Sequence, residues 1–223
     1  MITLTLFEQS AFTVEYAGKR IAIDVGALTS PASLTTIGQP EFAIVSHIHP
    51  DHFDQANLAA LSCPIYTVGE VIGAVNTKEG YHSVKTGDSV TFPGTEISAY
   101  FGASDHGPKV GPVEQISFII EAGEIALAFT ADMFNPTPLP ALPYSTLLIP
   151  IGNNGYTFDA VAAANYIQSI GFTGTVIPVH FRQFEGSAQM LETFIEQVGN
   201  QATVKVLEVG ESVLLAQTYT ITS

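Results

Sequence analysis

The stretch Ser46-His47-Ile48-His49-Pro50-Asp51-His52 constrains this chain more than any other. It packs three imidazoles and a carboxylate into six residues, directly after the apolar run Phe42-Ala43-Ile44-Val45. Four apolar residues in a row, two of them β-branched, with Gly38 and Pro40 upstream, read as a short buried strand. The His-rich loop therefore starts where a strand ends, and a loop anchored there holds its side chains to the tolerance that coordination demands. The spacing supplies the chemistry. His47 and His49 can converge on one cation from a turn, while Asp51 and His52 can point at a second. Neutral imidazole with carboxylate suits zinc first, with manganese or iron as alternatives.

Other strand-like segments run into residues of the same chemical types. The segment Glu96-Ile97-Ser98-Ala99-Tyr100 leads to Gly102 through Pro108, which contains His106. A hairpin of Gln115 to Ile120 and Ile125 to Phe129 turns at Ala122-Gly123, and its second arm ends at Asp132. Thr175-Val176-Ile177-Pro178-Val179 leads to His180. Taken alone, His106 reads as a surface residue and Asp132 as a turn cap.

The first strands, Leu4 to Leu6, Phe12 to Tyr16 and Ile21 to Val25, imply an antiparallel start, with Asp24 interrupting the third. Asp24 either caps the turn at Gly26 or orients a ligand histidine. Helices are expected from Asp54 (as N-cap) to Ser62, over 71–75, from Asp159 with Val161, Ala164 and Ile167 on one face, and over 188–198. Further strands are expected over 65–68, 89–92 and 147–151, and Val204 to Leu207 with Val213 to Leu215 would close the sheet. The prolines from Pro136 to Pro143 imply an extended connection over the surface.

These 223 residues, 46% hydrophobic, suffice for a full core, and a single domain over 1–223 is expected. No run of about 18 apolar residues is present, and Met1 to Thr5 lacks a basic segment followed by an apolar one, so neither a membrane span nor secretion is expected. The single cysteine, Cys63, cannot form an intrachain disulfide and suits a cytoplasmic setting. Seven basic against 21 acidic residues give a net charge of −14, which disfavours nucleic acid as a partner and leaves a small molecule as the expected substrate.

The order strand, H-x-H-x-D-H, then His106, Asp132 and His180 resembles the metallo-β-lactamase superfamily of metal-dependent hydrolases. That resemblance implies an α/β fold, a four-layer αββα sandwich of two mixed β-sheets with a dinuclear site at one edge. It also assigns the ligands: His47, His49 and His106 to one metal, Asp51, His52 and His180 to the other, and Asp132 as the bridge. An acid at the position of Asp24 is usual in similar proteins. Residues 148–157 and Ile177-Pro178-Val179-His180-Phe181 look like the ascorbate-6-phosphate-lactonase-like branch.

The implied chemistry is hydrolysis of a small ester, lactone or phosphodiester by a metal-held hydroxide, with Asp51 orienting the water and carrying its proton. Two cations also leave room for an anionic substrate. Arg182, two residues after His180, either holds an anionic group or forms a surface ion pair, while Asn154 and Tyr156 sit where they could donate to substrate. His82 matches no ligand position and is either an exposed strand residue or a proton donor reaching the pocket. Two other readings of the same residues are a di-iron redox enzyme and a metal-binding module without catalysis.

Overall fold

A computed structural model of the chain describes residues 1–152 and 155–216. Its elements, in order, begin with β1 (Ile2–Leu6), β2 (Phe12–Tyr16), β3 (Lys19–Ile23), α1 (Pro31–Ile37), β4 (Phe42–Val45), α2 (Gln55–Leu61), β5 (Ile65–Thr67), α3 (Gly69–Ala74) and β6 (Tyr81–Ser83). They continue with β7 (Ser89–Thr91), β8 (Ile97–Ala103), β9 (Asp105–His106), β10 (Ile116–Ala122), β11 (Ile125–Phe129), β12 (Met133–Asn135) and β13 (Thr146–Pro150). The last are α4 (Ala160–Ser169), β14 (Thr175–Val179), α5 (Ser187–Val198), β15 (Thr203–Val204) and β16 (Ser212–Leu215).

Two seven-stranded mixed sheets result, ordered β16-β1-β2-β3-β4-β5-β6 and β15-β14-β13-β11-β10-β8-β7. In the first, β16 to β3 pair antiparallel and β3 to β6 parallel. In the second, β7 to β11 pair antiparallel and β11 to β15 parallel. The parallel halves matter for function, because parallel neighbours bring their carboxyl ends to one edge, where open α/β sheets bind ligands. Asp24 follows β3, the His-rich loop follows β4, Asp132 lies three residues past β11, and His180 follows β14.

Both faces of β10, β13 and β14 in the second sheet are buried, which explains why these strands read as largely apolar runs. Phe118 and Ile120 of β10 pack into the core that joins the two sheets, while Ile119 between them packs into a second core with α4 and α5. Leu148 of β13 and Ile177 of β14 face the first core, and Leu147, Ile149 and Val176 face the second. Phe12 of β2 meets Phe129 of β11 edge-on at 5.3 Å between ring centroids, a contact from sheet to sheet. Side chains of this size each contribute about 1.5–3 kcal/mol on full burial. Ile37, Leu58 and Val71 bring α1, α2 and α3 onto the first core. The αββα sandwich expected from the sequence is therefore the fold observed.

Local differences have physical causes. Helix α1 was not anticipated; it is started by Ser30, whose side chain accepts from the backbone N–H of Ser33, with a proline in the first turn. Val161 is 43% exposed rather than inward, because α4 seats the small Ala160, Ala163 and Ala164 with Ile167 against the sheet. Strands β15 and β16 do not close one sheet: β15 edges the second and β16 edges the first, beside β1. Asp54 and Asp159 cap α2 and α4 as expected, accepting from the N–H groups of Asn57 and Ala162. Among the described residues no helix is long and apolar enough to cross a membrane.

The site loop rests on backbone-to-backbone contact at Gly26. A Cβ there would stand 2.2 Å from the carbonyl carbon of Asp51 and 2.5 Å from the amide nitrogen of His52. Neither neighbour is a flexible tip that can move aside. Gly26→Ala is therefore expected to destabilise the protein by about 3 kcal/mol and to lower its metal content, checked by urea unfolding and by elemental analysis of the purified variant.

Candidate metal centre

The sheet edge gathers five histidines and two aspartates. His47 and His52 are fully buried and His106, Asp132 and His180 nearly so, whereas His49 and Asp51 are half-buried. The donor atoms form two groups, each lying within 4.8 Å: His47, His49 and His106, and Asp51, His52, Asp132 and His180. Asp132 Oδ2 lies between the groups, 3.2 Å from the Nε2 atoms of both His52 and His180, 3.6 Å from that of His106 and 3.9 Å from that of His47. His47 Nε2 and His49 Nδ1 are 3.1 Å apart. All seven residues expected as ligands are thus brought together; Asp132, expected as the bridge, groups with Asp51, His52 and His180.

Hydrogen bonds on the far side of the rings fix which nitrogen faces inward. His52 Nδ1 is 2.8 Å from Asp24 Oδ2, His47 Nδ1 is 3.0 Å from Ser46 Oγ, and His106 Nδ1 is 3.1 Å from the Gly107 carbonyl. Asp24, fully buried, also accepts from the Ser46 N–H at 2.7 Å and from the Ser46 hydroxyl at 2.8 Å. It therefore orients His52 directly and His47 through Ser46, which resolves its two readings in favour of the orienting one. The small ribbon of β9 and β12, not anticipated from sequence, sets Met133 opposite His106 and so couples the His106 loop to the segment after Asp132.

The backbone bends sharply to achieve this. Asp24, Ala131 and His180 have φ of 49°, 52° and 56°, in the left-handed region that such residues seldom enter. Gln9, in the loop between β1 and β2, has φ 55° as well. Its side-chain amide donates to Asp51 Oδ2 at 3.1 Å and lies 3.2 Å from His180 Nε2, and its carbonyl accepts from the His180 N–H. Sequence reasoning missed Gln9: a glutamine in a turn carries no local signature, and its partners are 42 and 171 residues away.

The remaining expected residues divide. Tyr156 reaches the site, lining a cavity of about 470 Å³ that opens over Asp51, Asp132 and His180, with its ring edge-on to His106. Asn154 lies outside the described residues. Arg182 does not reach the cavity; its guanidinium donates to the Leu207 carbonyl and pairs with Glu208 at 3.4 Å, so the reading as an anion holder is replaced by the ion-pair one. His82 sits exposed on β6 at the rim of the first sheet, stacked on Tyr66, away from the cavity.

Electrostatics separate the two groups of imidazoles. Burial holds His47 well below its ordinary range, and the charge on His52 adds to this. His49 is lowered by burial and by His106. Burial also opposes charge on His52 and His180, but for His52 the three carboxylates of Asp132, Asp51 and Asp24 outweigh it. For His180, Asp132 and the hydrogen bonds with Asp132 and Asp51 push the pKa up to about 9. Asp51 and Asp132 lie well below the carboxylate range; burial would raise them, and the charges of His52 and His180 prevail.

The donor set fits divalent cations. His52 Nε2, His106 Nε2 and Asp132 Oδ1 are buried and make no hydrogen bond of good geometry. Each such orphan costs about 1–3 kcal/mol, a cost that coordination would remove. Imidazole and carboxylate without thiolate suit zinc, manganese or iron alike.

Two mixed sheets with a histidine and aspartate cluster on their common edge define a metallo-β-lactamase fold. The chain belongs to the β-lactamase superfamily, since the family described as a β-lactamase superfamily domain matches residues 3–180. It is 28% identical over 220 residues to a UPF0173 metal-dependent hydrolase of Caldivirga maquilingensis, covering 91% of this chain and 93% of the relative. Among solved structures it is similar to Igni18, a metallo hydrolase from Ignicoccus hospitalis, with TM-score 0.79 at 20% identity over 97% of this chain and 99% of the other. It also shares its fold with CmlA, a diiron β-hydroxylase from Streptomyces venezuelae: TM-score 0.74 at 12% identity, over 96% of this chain and 54% of that one.

Asp24→Asn is expected to weaken divalent-cation binding about 10- to 100-fold, read by competition with a chelating dye. Proton linkage gives a second test. The folded pKa of His180 stands above its ordinary 6.5, so the stabilisation from that proton in metal-free protein is complete below 6.5 and fades as pH rises through about 9. A cation must displace the same proton. Zinc titrations of chelator-treated protein are therefore expected to release protons and to tighten between pH 6.5 and 8.5.

Proposed function

We propose that the protein is a metal-dependent hydrolase that holds two divalent cations and cleaves a small ester, lactone or phosphodiester. The observation that carries this is the pair of adjacent donor groups flanking Asp132 Oδ2 at the floor of an open cavity. His47, His49 and His106 would hold one cation, Asp51, His52 and His180 the other, with Asp132 between them. Divalent cations held there would supply Lewis acidity and lower the pKa of water toward neutrality. The name carried by the Caldivirga relative supports the hydrolytic reading.

The chain's own contribution is positioning and proton transfer. Asp51 is the side chain suited to carry a proton: it is half-buried and lines the cavity. Gln9 donates to one of its oxygens, fixing the carboxylate's orientation toward the cavity. Tyr156 also lines the cavity, where its hydroxyl would donate to substrate. Within this reaction class a lactone is supported by the likeness of residues 148–157 and 177–181 to the lactonase-like branch. The all-nitrogen-and-oxygen donor set also suits a di-iron centre, and an iron-dependent visible absorption band would favour that reading.

Asp132→Ala is expected to lower bound metal from two cations per chain to one or none and to abolish turnover, by elemental analysis and a panel of lactones and phosphodiesters. Undiminished metal content would contradict the assignment. Asp51→Asn is expected to cost a factor of about 10²–10⁴ in kcat if Asp51 handles the proton.

A further inference from the structure

All seven lysines and arginines of this chain lie in described segments, and none lines the cavity above the metal centre. Four are held by glutamates: Lys19 by Glu41, Arg20 by Glu15, Arg182 by Glu208 and Lys205 by Glu211. Lys78 and Lys85 flank β6, at the outer edge of the first sheet. Lys109 is outside the lining, with its ammonium over the ring of Tyr156, 4.7 Å from the centroid. The walls beside the aspartates and histidines are instead Ala27, Leu28, Pro50, Tyr156 and Phe184. Phe184 stacks on His180 at 5.8 Å, and Leu28 is 43% exposed.

Outside the metal cluster the polar groups of the wall are uncharged: the amides of Gln9 and Gln183 and the Tyr156 hydroxyl. Gln9 Oε1 is a buried acceptor without a hydrogen-bond partner. The carboxylates of Asp51 and Asp132 would be taken up by the cations, so beyond the metal centre the field an anion meets is that of the chain's net charge of −14. An anionic substituent projecting away from the metals would meet no cationic side chain among the lining residues and would lose part of its hydration. Apolar surface gains from the same walls, and a volume of about 470 Å³ matches a small molecule.

We propose that this cavity selects uncharged esters or lactones with an apolar body, with Leu28 and Phe184 as the walls that set the preference. The proposal rests on the hydrolase reading above and narrows its substrate class, setting phosphodiesters aside. Leu28 is the residue through which the preference can be altered, because it is partly exposed at the cavity and outside the metal cluster.

The test compares p-nitrophenyl butyrate with its carboxylate-ended counterpart, the p-nitrophenyl monoester of succinate, and with bis-p-nitrophenyl phosphate, on the metal-loaded full-length protein. The neutral ester is expected to lead in kcat/KM by about tenfold or more, and Leu28→Lys to shift the ratio toward the carboxylate by about tenfold. Ligand-observed NMR on chelator-treated protein supplies a readout independent of turnover: δ-valerolactam is expected to bind wild type and pentanoate only Leu28→Lys. Preference for the charged substrates overturns the proposal and leaves the hydrolase reading standing. Lactam binding without turnover of any ester upholds selection of neutral ligands and sinks the hydrolase reading. Neither binding nor turnover overturns both.

Discussion

The carboxylate of Asp132 is 2% exposed, and one of its oxygens has four imidazole nitrogens within 3.9 Å. A buried anion is tolerated only when positive charge or hydrogen-bond donors surround it. Here that requirement reaches across both sheets: His47 and His52 come from the end of β4, His106 from β9 and His180 from the end of β14. Parallel pairing in half of each sheet delivers these ends to one edge. The left-handed residues Asp24, Ala131 and His180 then turn the chain so that side chains point inward. In metal-free protein the balancing charge is protons on His52 and His180, and cations would take their place.

What the sequence disclosed depended on how local each signal was. The His-rich loop was legible because its residues are neighbours in the chain, and β4, β11 and β14 have the limits read from their apolar runs. Those runs are unbroken because both sheet faces are covered. His106, Asp132 and His180 carried meaning only through their order relative to the loop, as single residues at strand ends are ambiguous. Gln9 and the β9 and β12 ribbon had no signal at all, being defined by partners far along the chain. Arg182 misled for a related reason: proximity in sequence to His180 says nothing about direction, and its side chain turns to Leu207 and Glu208. In α4 the inward face is made of alanines, whose weak hydropathy let Val161 look like a core position.

A buried hydrogen-bond network centred on Asp24 fixes the cluster's rings. Asp24 accepts two hydrogen bonds from Ser46 and one contact with His52, all within 2.8 Å and all buried. Three bends with positive φ at non-glycine residues cost on the order of 1 kcal/mol or more each. A protein accepts such strain where geometry at a site outweighs the stability forgone. Glycine appears instead where backbones touch: Gly26 against Asp51 and His52, and Gly152 against the His180 carbonyl.

The meeting of Gln9, Asp51 and His180 joins three parts of the chain separated by as many as 171 residues. Contacts of such sequence separation form late, because the long loops between them must close first. On a ribosome the trio of His47, His49 and His106 is available before half of the chain has emerged. The second group waits for His180. The edge of β1 stays unpaired longer still, until β16 arrives at the far end of the described chain, so the nascent first sheet carries an open flank for most of its synthesis.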